Sequence, residues 1–229
     1  MLAKKKKLSK KEIKEDKLVT TFYEAKSFYE KNQTAIFAVV GAVAALIAVI
    51  LFYSSRVDEK NLAASTELTR VLPTYNAGLY QQAIDGKPGT KEIGLLKIVD
   101  EYGGSEQGEL ARIYLANAYY FTGQVDKALE QYDSYSGNDD IMIAAALAGK
   151  AGCYETKGDY EEAAKLFEKA ANVSKYVPAN GEYLLNAGIN LIKINKYNKA
   201  KVLLNKVKKD YPTTMAAREV EKFLAIVNS

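Results

Sequence analysis

A chain of 229 residues with 32 basic and 28 acidic side chains carries a formal charge of +4, no His, no Trp and a single Cys. One Cys makes neither an internal disulfide nor a cysteine-rich metal site, and without His the commonest zinc ligand and neutral-pH acid–base catalyst is missing. Ten Lys against five acids in residues 1–31 leave everything after residue 31 at −1, so a basic phosphate-binding face, and with it a nucleic-acid partner, is not expected of the main body.

The first element is the basic tail, residues 1–31, opening "KKKKLSKKEIK". Within "KLVTTFYEAKSFYEKN", Leu18, Phe22, Ala25 and Tyr29 recur at steps of four, three and four, which puts them on one helix face with Lys and Glu opposite. That pattern suits a helix lying in a membrane interface, while residues 1–12 read equally as a disordered basic tail on anionic headgroups.

The next element is "NQTAIFAVVGAVAALIAVILFYSS", residues 32–55, without one charge. A helix rises about 1.5 Å per residue, so roughly 20 residues cross the hydrocarbon core of a bilayer. A secretory signal has a shorter apolar region, about 7–15 residues, directly followed by a small-residue cleavage site. Here "FYSSRVDEK" follows, and the "NLAAS" cluster lies further on. A buried core helix seldom stays uncharged over such a length. An uncleaved transmembrane helix is the expectation. Lys and Arg resist translocation, and their excess before the run predicts a cytoplasmic N-terminus and a C-terminal body across the membrane, in the periplasm of a bacterium. Gly41 and Ala45, like Ala38 and Ala42, form small-xxx-small pairs that permit close helix approach.

Beyond the run, residues 56–104 predict an irregular first helical hairpin. Its loop "DGKPGTKE" lacks the GxxxxGK[ST] spacing of a phosphate cradle. Residues 105–212 then hold three copies of one pattern: "LARIYLANAYYFTGQVDKALEQY", "LAGKAGCYETKGDYEEAAKLFEKA" and "LLNAGINLIKINKYNKAKVLLNKV". In each, a small residue (Ala116, Ala151, Gly188) precedes a large one by three positions (Tyr119, Tyr154, Leu191). A turn follows and ends in Ala128, Ala163 or Ala200, and four positions later stands Tyr132, Phe167 or Leu204. Small residues let antiparallel helices touch and large ones fill the space to the next unit. Ser105 and Thr213 or Thr214 are placed to cap following helices, and residues 213–229 predict a terminal capping helix.

These motifs resemble the tetratricopeptide repeat, a helix–turn–helix unit of about 34 residues. The second copy matches at Ala151, Tyr154, Gly158, Tyr160, Ala163, Phe167 and Ala170, whereas Asn195 replaces the turn Gly in the third, and Arg112 and Leu147 stand where the family often has Trp. The resemblance implies an all-α fold, a single transmembrane helix followed by a solenoid whose first helices line a concave protein-binding groove. Its groove positions fall on Ile113, Asn117, Tyr120 and Phe121, on Ala148, Gly152 and Glu155, and on Leu185, Ile189 and Ile192. Of the Lys and Asn clamp that some family members use for C-terminal carboxylates only Asn117 is present, so the groove is expected to take apolar or helical protein segments.

No catalytic, cofactor or metal residues are expected, and no small-molecule substrate. Cys153 reads as a packing residue, and Asp139–Asp140, in the loop "SGNDD", and Glu161–Glu162, opening a helix, read as solvated charge. In layout the chain is similar to the YfgM-like ancillary subunit family of the bacterial Sec translocon. That resemblance implies a non-enzymatic inner-membrane scaffold with translocon subunits, a periplasmic chaperone or isomerase and emerging polypeptides as partners. A scaffold for another envelope complex, in division, secretion or outer-membrane assembly, is the alternative.

Overall fold

The computed structural model describes the backbone of residues 10–228 and the side chains of residue 17 and residues 19–228. The lysine run before residue 10 and the Leu18 side chain, assigned above to the tail and its apolar face, lie outside the described residues. The chain divides into two units, residues 1–56 and 57–229.

The first unit is helical from Lys10 onward, as part of α1 (Lys10–Asn76), with one break at Asn32, whose φ and ψ are −116° and 16°. The Asn32 side chain donates from Nδ2 to the Phe28 carbonyl oxygen at 2.9 Å, a local bond that competes with the helical ladder. After the break, Val39, Val40, Leu46, Val49, Ile50, Leu51 and Phe52 all stand exposed. The helix thus contains a stretch long and apolar enough to cross a membrane, with none of it buried in protein. A helix satisfies its backbone polar groups internally, the condition for such a stretch to sit in lipid.

The second unit contains the end of α1 and nine further helices: α2 (Tyr80–Asp85), α3 (Leu95–Tyr102), α4 (Glu106–Phe121), α5 (Val125–Asp133), α6 (Asp140–Thr156), α7 (Tyr160–Ala171), α8 (Asn180–Lys193), α9 (Tyr197–Asp210) and α10 (Met215–Asn228). Three antiparallel hairpins, α4–α5, α6–α7 and α8–α9, stack in order; α2 and α3 pack on α4, and α10 closes the other end on α8 and α9. No strand occurs among the described residues; the nearest approach is an isolated bridge between Gly86 and Ile93.

Local chemistry explains where each helix starts and turns. Ser105 accepts from Gly108 N–H at 3.2 Å, Asp159 from Glu162 N–H at 3.1 Å and Thr214 from Ala217 N–H at 3.3 Å, each satisfying an orphan donor of a first turn. The loop reading of Asp139–Asp140 is corrected: Asp140 is the first residue of α6 and Asp139 caps it, accepting from Met142 N–H at 2.9 Å. At the turn of each hairpin one residue takes a left-handed conformation: Gly123 at φ 76°, Gly158 at 81° and Asn195 at 59°. Asn adopts that region more readily than other side-chain-bearing residues, so the departure from Gly keeps the turn.

The hairpins close on small residues. Ala116, Ala128, Ala151, Ala163 and Ala200 are fully buried. A Cβ on Gly188 would fall 2.8 Å from Leu204 Cδ2, and one on Gly149 would strike the Tyr132 ring. Two hydrophobic clusters result. One joins Leu68 and Val71 of α1 to α2–α5, Ala146 and Cys153; the other joins Ala151 to α7–α10. The α6 helix serves both, and burying each large aliphatic side chain contributes about 1.5–3 kcal/mol.

Candidate protein-binding surface

The first helices of the hairpins, α4, α6 and α8, are linked side by side by polar and aromatic contacts. Tyr120, near the end of α4, reaches α6, where its hydroxyl lies 3.1 Å from Thr156 Oγ1 and its ring passes over Gly152. A Cβ at 152 would lie 3.7–3.9 Å from that ring, in ordinary contact with it. Further along, Glu155 on α6 pairs with Lys193 on α8 at 2.6 Å, and the Lys193 ammonium also sits 4.7 Å from the Tyr160 ring centroid.

At the α4 end the surface is aromatic. Phe121 is 57% exposed and stacks on Tyr80 of α2, with ring centroids 4.8 Å apart and planes 27° from parallel. Tyr120 meets Phe121 edge-on at 5.9 Å, while Tyr75 meets both Tyr80 and Tyr114 edge-on. Offset and edge-to-face pairs hold such rings rigidly, which lowers the entropy cost of binding against them.

The residues singled out from sequence divide by burial. Ile113 and Leu185 are core residues at 6% and 5% exposure, so their side chains support the surface from below. Asn117 is half-buried: it accepts from the Tyr132 hydroxyl and bonds Tyr75, whose phenol burial pushes up to about 12 against the opposing pull of that bond. Asn117 therefore bridges α1, α4 and α5. Tyr120, Ala148, Gly152, Glu155, Ile189 and Ile192 are half-buried, and Phe121 is exposed. Tyr80, the stacking partner of Phe121, lies in α2, outside the repeated pattern, so the repeat spacing does not point to it.

The cysteine and the acidic pair Glu161–Glu162 singled out from sequence are both engaged in the fold. Cys153 is fully buried, and burial pushes its thiol up to about 11, outweighing the pull of Lys157. Glu161 is held charged by Lys196, 2.7 Å away. No cluster of three or more His, Cys, Asp or Glu that could hold a metal occurs among the described residues.

Two family models match the chain: a tetratricopeptide repeat-like domain over residues 26–183, and a tetratricopeptide repeat over residues 182–214. No curated protein matches. Among solved structures, the fold is similar to nearly identical TPR-like repeats of a Podosopora anserina protein described as a kinesin light chain. A point variant of those repeats aligns with TM-score 0.56, and the parent repeats with 0.55. Each is 16% identical and is aligned over 71% of this chain and 84% of its own. At that identity the likeness concerns the fold alone.

Proposed function

The chain belongs to the tetratricopeptide repeat-like domain family, and from that premise we propose that it is a membrane-anchored, non-enzymatic scaffold that holds protein partners against α4, α6 and α8. The observation that carries this is the Tyr80–Phe121 stack: a large ring left exposed yet stacked, with Tyr120 edge-on to it and reaching Thr156 and Gly152 of α6. Rigid aromatic anchors of this kind dominate protein-recognition energetics. Glu155, paired with Lys193, borders the apolar strip with a polar rim. An apolar or helical protein segment fits it better than an acidic tail.

In this reading residues 32–55 span the bilayer and residues 17–31 lie in its interface, with Phe22, Ala25 and Tyr29 toward the lipid. The lysine excess before the span supports a cytoplasmic N-terminus and an extracytoplasmic array. The layout of basic tail, one span and compact repeat body further supports an accessory role at the Sec translocon, beside periplasmic chaperones and emerging polypeptides.

A photo-reactive phenylalanine analogue at Tyr120, Phe121 or Ile189, activated in native membranes, tests the proposal. Channel subunits and a periplasmic chaperone are the expected adducts. Adducts confined to division, secretion or outer-membrane assembly proteins would replace the Sec role with that scaffold. Adducts only from sites on the opposite face would sink the surface itself. A repeat body shielded from protease in spheroplasts would overturn the orientation.

A further inference from the structure

The second helices of the repeats face away from α4, α6 and α8, and two of them, α7 and α9, leave a groove of about 520 Å³ between them. Its apolar floor is Ala164, Leu191 and Leu203, and Val202 stands beside it 66% exposed. Along α9, Lys199, Val202, Lys206 and Lys209 follow at steps of three, four and three, one continuous exposed stripe. Lys206 and Lys209 form no ion pair among the described residues. On the α7 side Glu161 is already held by Lys196 at 2.7 Å and by Lys165 at 3.9 Å, while Glu168 has no ion-pair partner among the described residues.

This end of the array also differs in charge from the rest. Residues 180–229 hold nine basic and four acidic side chains, whereas residues 57–179 hold twelve basic and nineteen acidic. Lys165 and Lys196 are answered by Glu161, whereas Lys206 and Lys209, on the same stripe as the exposed valine, have no ion-pair partner among the described residues. A ligand that lays an apolar side chain on Val202 and carboxylates beside Lys199, Lys206 and Lys209 answers both the apolar and the charged part. A flat bilayer surface would reach the lysines but leave the trough unfilled.

We propose that the α7–α9 groove is a second docking surface, for an acidic protein segment carrying a large apolar residue. It acts independently of the surface on α4, α6 and α8, so the scaffold holds two partners at once on opposite faces. Electrostatic attraction steers the segment in, and the apolar anchor sets its register.

The probe is a fluorescein-labelled peptide of Glu and Asp around one central Phe, titrated by anisotropy onto the full chain in phosphatidylcholine nanodiscs. Expected is saturable binding that weakens with added salt, because the Debye length shortens from about 10 Å at 0.1 M. Lys206→Glu with Lys209→Glu, and separately Val202→Asp, should each weaken it at least about tenfold. All three positions are exposed, so unchanged helical circular dichroism and melting verify the fold. Phe121→Ala should leave this binding intact, which separates failure here from failure of the first surface. Equal binding of a peptide with Lys in place of its acids, or indifference to the variants, overturns the proposal. So does capture by phosphatidylglycerol vesicles, or salt-sensitive self-association, lost in the lysine variants while the peptide fails to bind.

Discussion

The carboxylate of Glu109 on α4 accepts the backbone N–H of Ser136 at 2.9 Å, tying the first hairpin to the segment that leads into α6. The same carboxylate accepts Gly104 N–H at 3.0 Å and the Arg112 guanidinium at 3.2 Å, and Arg112 continues to Gln131 at 3.1 Å. One buried acid thus connects the end of α3, α4, α5 and the α5–α6 link. Burial alone would raise its pKa, but Ser136 N–H, Arg112 and Gly104 N–H together hold it below the ordinary value.

Glu109→Gln is therefore expected to destabilise the array by about 3–5 kcal/mol, the cost of breaking a buried charge pair. Because the folded pKa is lowered, this contribution is fully present above the unfolded carboxylate value, about 4.3, and is lost as pH falls through the folded value. Urea melts of the full chain in detergent between neutral and acidic pH check this. The wild-type midpoint should fall with acid more steeply than that of the variant.

The left-handed turn residues make a graded series. Gly158→Ala should cost about 1–2 kcal/mol, the price of forcing a Cβ into that region. Gly158→Asn should cost distinctly less, since Asn195 already occupies the equivalent turn at φ 59°. Equal losses for Ala and Asn would show that something other than backbone conformation governs the turn.

Gly188 and Leu204 share one packing contact and should behave as a coupled pair. Gly188→Ala is expected to cost about 1–3 kcal/mol by overpacking, and Leu204→Ala about 2–5 kcal/mol by leaving a cavity. In the double variant the new methyl gains the space that Leu204 vacated, so the combined loss should be smaller than the two losses added. A double-mutant cycle from denaturant melts reads this directly.

Cys153 should be inert in the folded chain. With the thiol pushed up to about 11, only about a thousandth is thiolate at pH 8, and the side chain is fully buried. Reaction with a thiol-specific disulfide reagent should be slow until denaturant is added, and Cys153→Ala should leave partner adducts at Tyr120 unchanged. Fast native reactivity would contradict the buried environment.

Much of the helical pattern could be read from residues alone because it is written locally. Ala128, Ala163 and Ala200 mark the close crossings, and Gly123, Gly158 and Asn195 mark the turns, each in a fixed place relative to the next. Ser105 and Thr214 likewise cap from a neighbouring position. Asp140 opens α6 rather than closing the loop, since an Asp at the end of a loop and an Asp in a first helical turn differ only in where the next helix begins. The surface was harder to read. Ile113 and Tyr120 stand two turns apart on the same face of α4, so their spacing alone does not separate them; what packs over each stretch of the helix buries Ile113 and leaves Tyr120 half-buried and Phe121 exposed.

By itself the sequence determined the all-helical class, the repeat and its turns, and a stretch of α1 long and apolar enough for a bilayer. Each follows from spacing along the chain, which one helix and its immediate neighbour are enough to express. Only the tertiary structure decided what stands beside what. It stacked Tyr80 on Phe121, brought the Ser136 N–H to Glu109, and opened a trough between α7 and α9. Those relationships join residues tens of positions apart, and they depend on how whole hairpins register against each other rather than on any local pattern.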